Sequence, residues 1–203
     1  RVLESHGYRV GILPQPDWRN IDAFKEFGRP RLGFLVSSGN IDPMVNHYTA
    51  AKKPRSKDVY SPGGKAGMRP NRADIVYTNC IRRAYKNMPV VLGGVEASLR
   101  RLAHYDYWDD KVRASILYDS GADLLLFGMG ERSIVELADA MDAGIPIKNI
   151  TFIQGSAYYT EDLTPEYDYV QIESFEAVRE DKRAYARAFM AQYTNQDPLN
   201  AKR

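Results

Sequence analysis

Short apolar runs alternate along this chain with segments in which apolar residues recur at helical spacing. The apolar runs predict strands at residues 8–13, 32–36, 89–92, 122–127, 151–153 and 169–172. Helical spacing and capping residues predict helices at residues 21–27, 73–87, 95–103, 105–119, 133–143 and 175–192. Uninterrupted apolar strands are typical of parallel sheets that helices cover on both faces. We therefore predict an α/β fold with a doubly wound, mostly parallel sheet flanked by helices.

The same pattern divides the chain into three segments. Residues 1–150 are predicted to form the α/β domain, residues 151–194 a strand and helix extension, and residues 195–203 a linker. Residues 1–7 have the pattern of a helix end, with Gly7 placed as a C-cap. We therefore expect the first strand of the domain to be missing from this chain.

Two strand-to-helix junctions are candidate binding sites, because open parallel sheets bind ligands beyond the carboxyl ends of their strands. The candidate residues are Gly93, Gly94, Glu96 and Ser98 at the first junction, and Gly128, Gly130 and Glu131 at the second. Glycine lets a backbone approach a ligand, and free amides at a helix start can hold a phosphate or another polar group. The alternative is structural, since such turns commonly carry glycine for a tight connection and an acid for the helix dipole. Residues 128–130 lack the third glycine of the dinucleotide fingerprint, which disfavours a nicotinamide cofactor.

Residues 52–72 interrupt the pattern and are predicted to form a long basic loop. This segment has seven lysine or arginine residues against the single acid Asp58. Its cations could bind the phosphates of a nucleic acid or a nucleotide, and the candidates are Lys52, Lys53, Arg55, Lys65 and Arg69. The alternative is a solvated, mobile loop. The segment does not have the Walker order of glycine, lysine and serine or threonine, so it is not a P-loop.

The composition of the chain is that of a soluble globular domain, and it disfavours membrane, disulfide-rich and metal-binding classes. A net charge of +2 and a hydrophobic content of 44% are typical of a soluble globular domain and do not by themselves indicate a nucleic-acid or membrane partner. No apolar run approaches the roughly 20 residues of a bilayer-spanning helix, so no membrane partner is expected. The single cysteine, Cys80, excludes a disulfide or a cysteine-ligated cluster built by this segment alone and favours a cytoplasmic location. Three scattered histidines predict no metal site.

Five motifs are similar to the amino-terminal region of YgiQ-like radical S-adenosylmethionine (SAM) proteins. They are PQPDW at 14–18, SPGGKAG at 61–67, GGVEASLRR at 93–101, LAHYDYW at 102–108 and GMGER at 128–132. The resemblance covers essentially the whole chain. It implies a cobalamin-binding-like α/β domain, of the flavodoxin or Rossmann type, that precedes a partial barrel. That barrel would hold a 4Fe-4S cluster through a Cys-x-x-x-Cys-x-x-Cys motif and cleave SAM reductively.

The resemblance also implies roles for particular positions. In cobalamin-binding radical enzymes the corresponding junctions approach the corrinoid or its nucleotide tail, and the matching positions are Gly93, Gly94, Gly128, Gly130 and Glu131. This sequence has Glu96 where related domains often have histidine, and it has no Asp-x-His-x-x-Gly motif. It also has no three-cysteine motif, so the chain by itself is expected to be inactive even where the full-length protein is a radical SAM enzyme.

The resemblance therefore leads to the hypothesis of an accessory domain. It would place a substrate or cofactor at a radical SAM barrel, and its partners would be that carboxy-terminal domain and a small molecule or nucleic acid. Two alternatives remain open at this point. One is a nucleic-acid or phosphate-binding module that uses residues 52–72, and the other is a purely structural domain.

Overall fold

The structure is a computed structural model that describes residues 1–164 and 169–195. The strands are β1 (Phe34–Ser37), β2 (Val90–Gly93), β3 (His104–Asp106), β4 (Lys111–Arg113), β5 (Leu124–Leu126) and β6 (Ser156–Tyr158). The α-helices are α1 (Val2–Ser5), α2 (Pro43–His47), α3 (Ala73–Ala84), α4 (Gly94–Leu99), α5 (Ile116–Ser120), α6 (Glu131–Asp142), α7 (Phe175–Glu180) and α8 (Lys182–Thr194).

The chain separates into two compact units. The first comprises Arg1–Arg101 and Ile116–Tyr159, and the second comprises Leu102–Ser115 and Thr160–Arg203. The predicted division at residues 150 and 194 stays a prediction. Apart from Asn195, the predicted linker lies outside the described residues.

The first unit is built on a four-stranded sheet with the order β1-β2-β5-β6. Strands β1, β2 and β5 are parallel, and β6 pairs antiparallel with β5. This confirms the predicted α/β fold with a mostly parallel sheet flanked by helices. Its description as cobalamin-binding-like stays a prediction.

Helices cover both faces of this sheet, which explains why its central strands are apolar throughout. Val90 and Leu92 pack in one cluster with Ile81 of α3, whereas Val91, on the opposite face of β2, packs in another cluster with Leu137 of α6. Successive side chains of a strand point to opposite faces, so a strand covered on both sides needs apolar residues at every position.

Several predicted elements differ from the structure. Residues 8–13, 151–153 and 169–172 form no strand among the described residues, and the last strand of the sheet is β6 instead. The predicted helix at 175–192 is divided into α7 and α8, because the Asp181 carboxylate accepts hydrogen bonds from the amides of Arg183 and Ala184 and starts a new helix there. The helix predicted at 21–27 is a shorter 3-10 helix at Ile21–Lys25, which the Asn20 side chain caps.

The helix predicted at 105–119 is wrong for most of its length. The second unit instead contains an antiparallel hairpin of β3 and β4, and α5 of the first unit begins only at Ile116. The buried carboxylate of Asp106 accepts hydrogen bonds from the amides of Trp108 and Asp109 and forms an ion pair with Arg113. Such local bonds from aspartate to the backbone compete with a helix and favour a turn.

No helix among the described residues is long and apolar enough to span a membrane.

Candidate binding edge and buried carboxyl pair

The carboxyl ends of the three parallel strands meet at one edge of the sheet, which we call the carboxyl edge. β2 passes directly into α4 at Gly93–Gly94, and β5 ends just before Gly128. The Ser98 hydroxyl joins these two junctions, because it donates to the Gly94 carbonyl at 2.7 Å and accepts from the Gly128 amide at 3.3 Å. The structure thus brings the two predicted glycine junctions together, with Ser98 between them.

The glycines at this edge differ in how strictly the backbone and its neighbours require glycine. Gly94 has a φ of +82°, and a Cβ atom built there would lie 2.4 Å from the Ser37 hydroxyl oxygen. The fold itself therefore requires glycine at this position. Gly128 also has a positive φ, but a Cβ atom there would meet nothing within 4 Å. Gly130 has a φ of −85° and the same open space, so the described fold does not require glycine at residue 130.

The start of α6 differs from its prediction. The helix begins at Glu131, and the Ser133 hydroxyl donates to the Gln154 carbonyl instead of capping the helix. The helix start predicted at residue 133 is therefore two residues too late. Glu131 is exposed in the first turn of α6, where a carboxylate is favoured by the helix dipole.

Apolar side chains are exposed near the same edge. The Met129 residue, between the two glycines of the second junction, is 87% exposed. On α4, which begins at this edge, Val95 and Leu99 are 42% and 63% exposed. Single exposed apolar residues are common on protein surfaces, but several of them near the open second junction are typical of a surface that meets a partner or ligand.

Glu96 lies beneath the surface and not at the edge. Its side chain is fully buried against Asp74 at the start of α3, and the Asp74 amide donates to Glu96 Oε2 at 3.2 Å. Neither carboxyl oxygen of Asp74, nor Oε1 of Glu96, has a hydrogen-bond partner among the described residues. The buried hydroxyls of Ser38 and Thr78 have none in these residues either.

The environment favours the protonated form of both carboxyls. Burial raises the pKa of Glu96 from 4.5 to about 7, although the Arg100 guanidinium opposes the shift. Burial and the nearby Glu96 charge raise the pKa of Asp74 well above its usual value. Arg100 forms an ion pair with Asp42, whose carboxylate also caps α2 by accepting from the Met44 amide at 2.8 Å. Two buried carboxyl groups with few hydrogen-bond donors around them are disfavoured in the ionised form, so they tend to stay protonated.

Sequence reasoning missed Asp74, Asp42 and Arg100. Asp74 has the pattern of an ordinary acid in the first turn of a helix, and residues 42, 74 and 96 are far apart in the chain. No spacing in the sequence indicates that these side chains share one buried site.

The five candidate cations of the basic segment do not share one environment. Lys52, Lys53, Arg55 and Lys65 are exposed, whereas Arg69 is buried. The Arg69 guanidinium donates two hydrogen bonds, of 2.8 and 3.0 Å, to the buried Asp58 carboxylate. Burial would raise the pKa of Asp58, but hydrogen bonds from Arg69, Tyr60 and Ser61 outweigh it and hold that pKa below its ordinary value.

The residues that the structure describes form neither a metal site nor a corrinoid site of the kind that the resemblance implies. Among residues 1–164 and 169–195, no three histidine, cysteine or acidic side chains are grouped so that they could hold a metal ion. Cys80 is buried, and a single cysteine cannot hold a 4Fe-4S cluster. A corrinoid fits no better, because Glu96, at the position where related domains often have histidine, is buried beneath the edge.

Comparison with known proteins identifies the family. The family described as Radical SAM N-terminal matches residues 1–203. A UPF0313 protein of Clostridium perfringens is 57% identical over 203 residues, which is 100% of this chain and 31% of that protein. A UPF0313 protein of Clostridium botulinum is 55% identical over 202 residues, which is 100% of this chain and 32% of that protein. The chain therefore spans about a third of the length of these relatives, and no solved structure matches it. The chain belongs to the Radical SAM N-terminal family.

Proposed function

We propose that this chain is the accessory amino-terminal domain of a larger radical SAM protein. Its carboxyl edge would place a substrate or cofactor at the radical SAM domain. The observation that carries the proposal is the joining of the two glycine junctions by Ser98, with open space in front of Gly128 and Gly130 and with Met129 exposed between them. An edge of this kind is where ligands of open α/β sheets bind.

The family implies that the full-length protein uses a 4Fe-4S cluster and SAM, and the cluster would supply one electron to cleave SAM. This chain has one cysteine, so we propose that the cluster ligands lie outside it. The part of this chain would be to position a ligand. The space in front of Gly130 gives access to the first amides of α6, and Met129 provides an apolar contact. We also propose a cytoplasmic location, since Cys80 is a free thiol.

Photocrosslinking in the full-length protein tests which edge faces the radical SAM domain. The photoreactive amino acid p-benzoylphenylalanine replaces Met129 at the carboxyl edge, and the matched control replaces exposed Lys86, which precedes β2 at the other edge of the sheet. We expect residue 129 to crosslink to peptides beyond residue 203, and residue 86 to give few or no such products. Equal crosslinking from both positions, or crosslinking from residue 86 alone, would contradict the proposal.

A further inference from the structure

The basic segment is folded around a buried carboxylate. Asp58 is 1% exposed and accepts two hydrogen bonds from Arg69, one from the Ser61 hydroxyl, one from the Tyr60 amide and one from the Asn46 side chain. Charge-assisted hydrogen bonds of this number hold a loop in one conformation. This arrangement favours a preformed surface over the alternative of a mobile loop.

A pocket of about 290 Å³ lies beside this carboxylate. Its lining includes His47, Tyr48, Arg55, Lys57, Arg69 and Asn71. One wall is held by a hydrogen-bonded chain, since His47 Nδ1 lies 3.0 Å from Asn71 Oδ1, and the Asn71 side-chain amide donates to the Tyr48 hydroxyl at 2.8 Å. The volume is near the lower end for small-molecule sites, which is roughly 300 Å³.

The charges around the pocket do not cancel. Asp58 and Arg69 form an ion pair, so together they contribute no net charge to the pocket. Arg55 and Lys57 also line it, and neither forms an ion pair with a described residue. The Arg55 Nε atom donates to the Tyr48 carbonyl at 3.2 Å, which anchors the guanidinium at the wall. A concave surface with two uncompensated cations attracts an anion.

We propose that this pocket binds the phosphate group of a small phosphorylated ligand, with Arg55 and Lys57 as its charged contacts. Two cations match the charge of a phosphate dianion, and a guanidinium can donate to two phosphate oxygens at once. A single-stranded nucleic acid is less well matched, because such binding also uses aromatic side chains for base stacking. Both nearby tyrosines are already engaged: Asn71 donates to the hydroxyl of Tyr48 in the pocket wall, and the Arg69 guanidinium lies over the ring of Tyr60.

Calorimetric titration of the full-length protein with pyrophosphate tests this pocket. We expect saturable binding with a stoichiometry of one ligand that depends on Arg55 and Lys57. Lys57→Ala should raise the Kd about tenfold, because a charge-assisted phosphate contact is lost. Arg55→Lys should raise it by a similar factor, because lysine lacks the guanidinium fork. Both side chains are exposed, so neither change is expected to disturb folding.

The matched control is Lys53→Ala, which removes an exposed lysine that does not line the pocket. We expect Lys53→Ala to change the Kd less than twofold. Equal weakening by Lys53→Ala and Lys57→Ala would indicate diffuse attraction to a basic surface and overturn the proposal. Three other results would also overturn it. Malonate could bind as tightly as pyrophosphate, or a single-stranded oligonucleotide could bind tightly with equal dependence on both lysines. The third is the absence of saturable binding up to about 10 mM pyrophosphate. None of these results would affect the crosslinking test of the carboxyl edge.

Discussion

Replacing the buried Glu96 carboxyl by an amide is expected to stabilise the chain above neutral pH. Burial raises the pKa of Glu96 from 4.5 to about 7 in the folded chain. The folded state therefore binds the Glu96 proton more tightly than the unfolded state does. The contribution of Glu96 to stability is therefore greatest below pH 4.5 and is lost as the pH rises through about 7, where the folded carboxyl ionises.

The size of this loss of stability follows from the shift in the Glu96 pKa. Each unit of pKa difference corresponds to about 1.4 kcal/mol, so ionisation of Glu96 would cost about 3 kcal/mol of unfolding free energy at pH 8. Glu96→Gln removes this cost and keeps an oxygen for the Asp74 amide. The new amide can also donate to the carboxyl oxygens of Asp74, which have no partner among the described residues. Removal of the Glu96 charge should in addition lower the pKa of Asp74.

Urea unfolding of the 203-residue chain, followed by circular dichroism at pH 5, 6.5 and 8, measures the effect. We expect Glu96→Gln to exceed the wild type in unfolding free energy by up to about 3 kcal/mol at pH 8 and by much less at pH 5. The control is Glu131→Gln, which changes an exposed acid and should shift stability by less than about 0.5 kcal/mol. The reasoning is refuted if Glu96→Gln retains the wild-type slope of stability against pH, or if it is less stable than the wild type at pH 8.

Three further predictions follow from packing and charge, and each is measured on the same chain. Gly94→Ala should lower the free energy of urea unfolding by about 2 kcal/mol, because residue 94 has a left-handed backbone and the new Cβ would clash with Ser37 Oγ. Adding Ser37→Ala should recover part of that loss, and equal stability of the single and double variants would contradict the clash. Asp58→Asn should lower the free energy of unfolding by about 3–5 kcal/mol, because the buried Arg69 guanidinium loses its counter-charge. Since the folded pKa of Asp58 is lowered, its stabilisation is present above pH 4 and is lost in acid, so the variant should show a smaller loss of stability below pH 4 than the wild type. Burial raises the pKa of the Cys80 thiol, so Ellman's reagent should modify it at least about tenfold more slowly in the folded chain than in urea; equal rates would show that the thiol is accessible.

The sequence by itself determined the three parallel strands of the sheet and the position of its carboxyl edge. Uninterrupted apolar runs predicted β1, β2 and β5, because strands covered on both faces need apolar side chains at every position. The glycines after β2 and β5 predicted where the two junctions meet, because the ends of parallel strands lie at the same edge. Helix α3 was predicted from apolar residues that recur within a few turns of the chain.

Only the tertiary structure decided which charges are buried and paired. The Asp74–Glu96 pair and the Asp42–Arg100 ion pair join residues more than 20 positions apart. Most of the helix predicted at 105–119 is replaced by a hairpin built around Asp106. Arg69 has the same local pattern as its exposed neighbours, yet it lies buried against Asp58. The physical reason is that hydrophobic periodicity reports which face of an element is covered. The energy of a charge depends instead on desolvation and on its partners, and those are set by segments that meet only when the chain has folded.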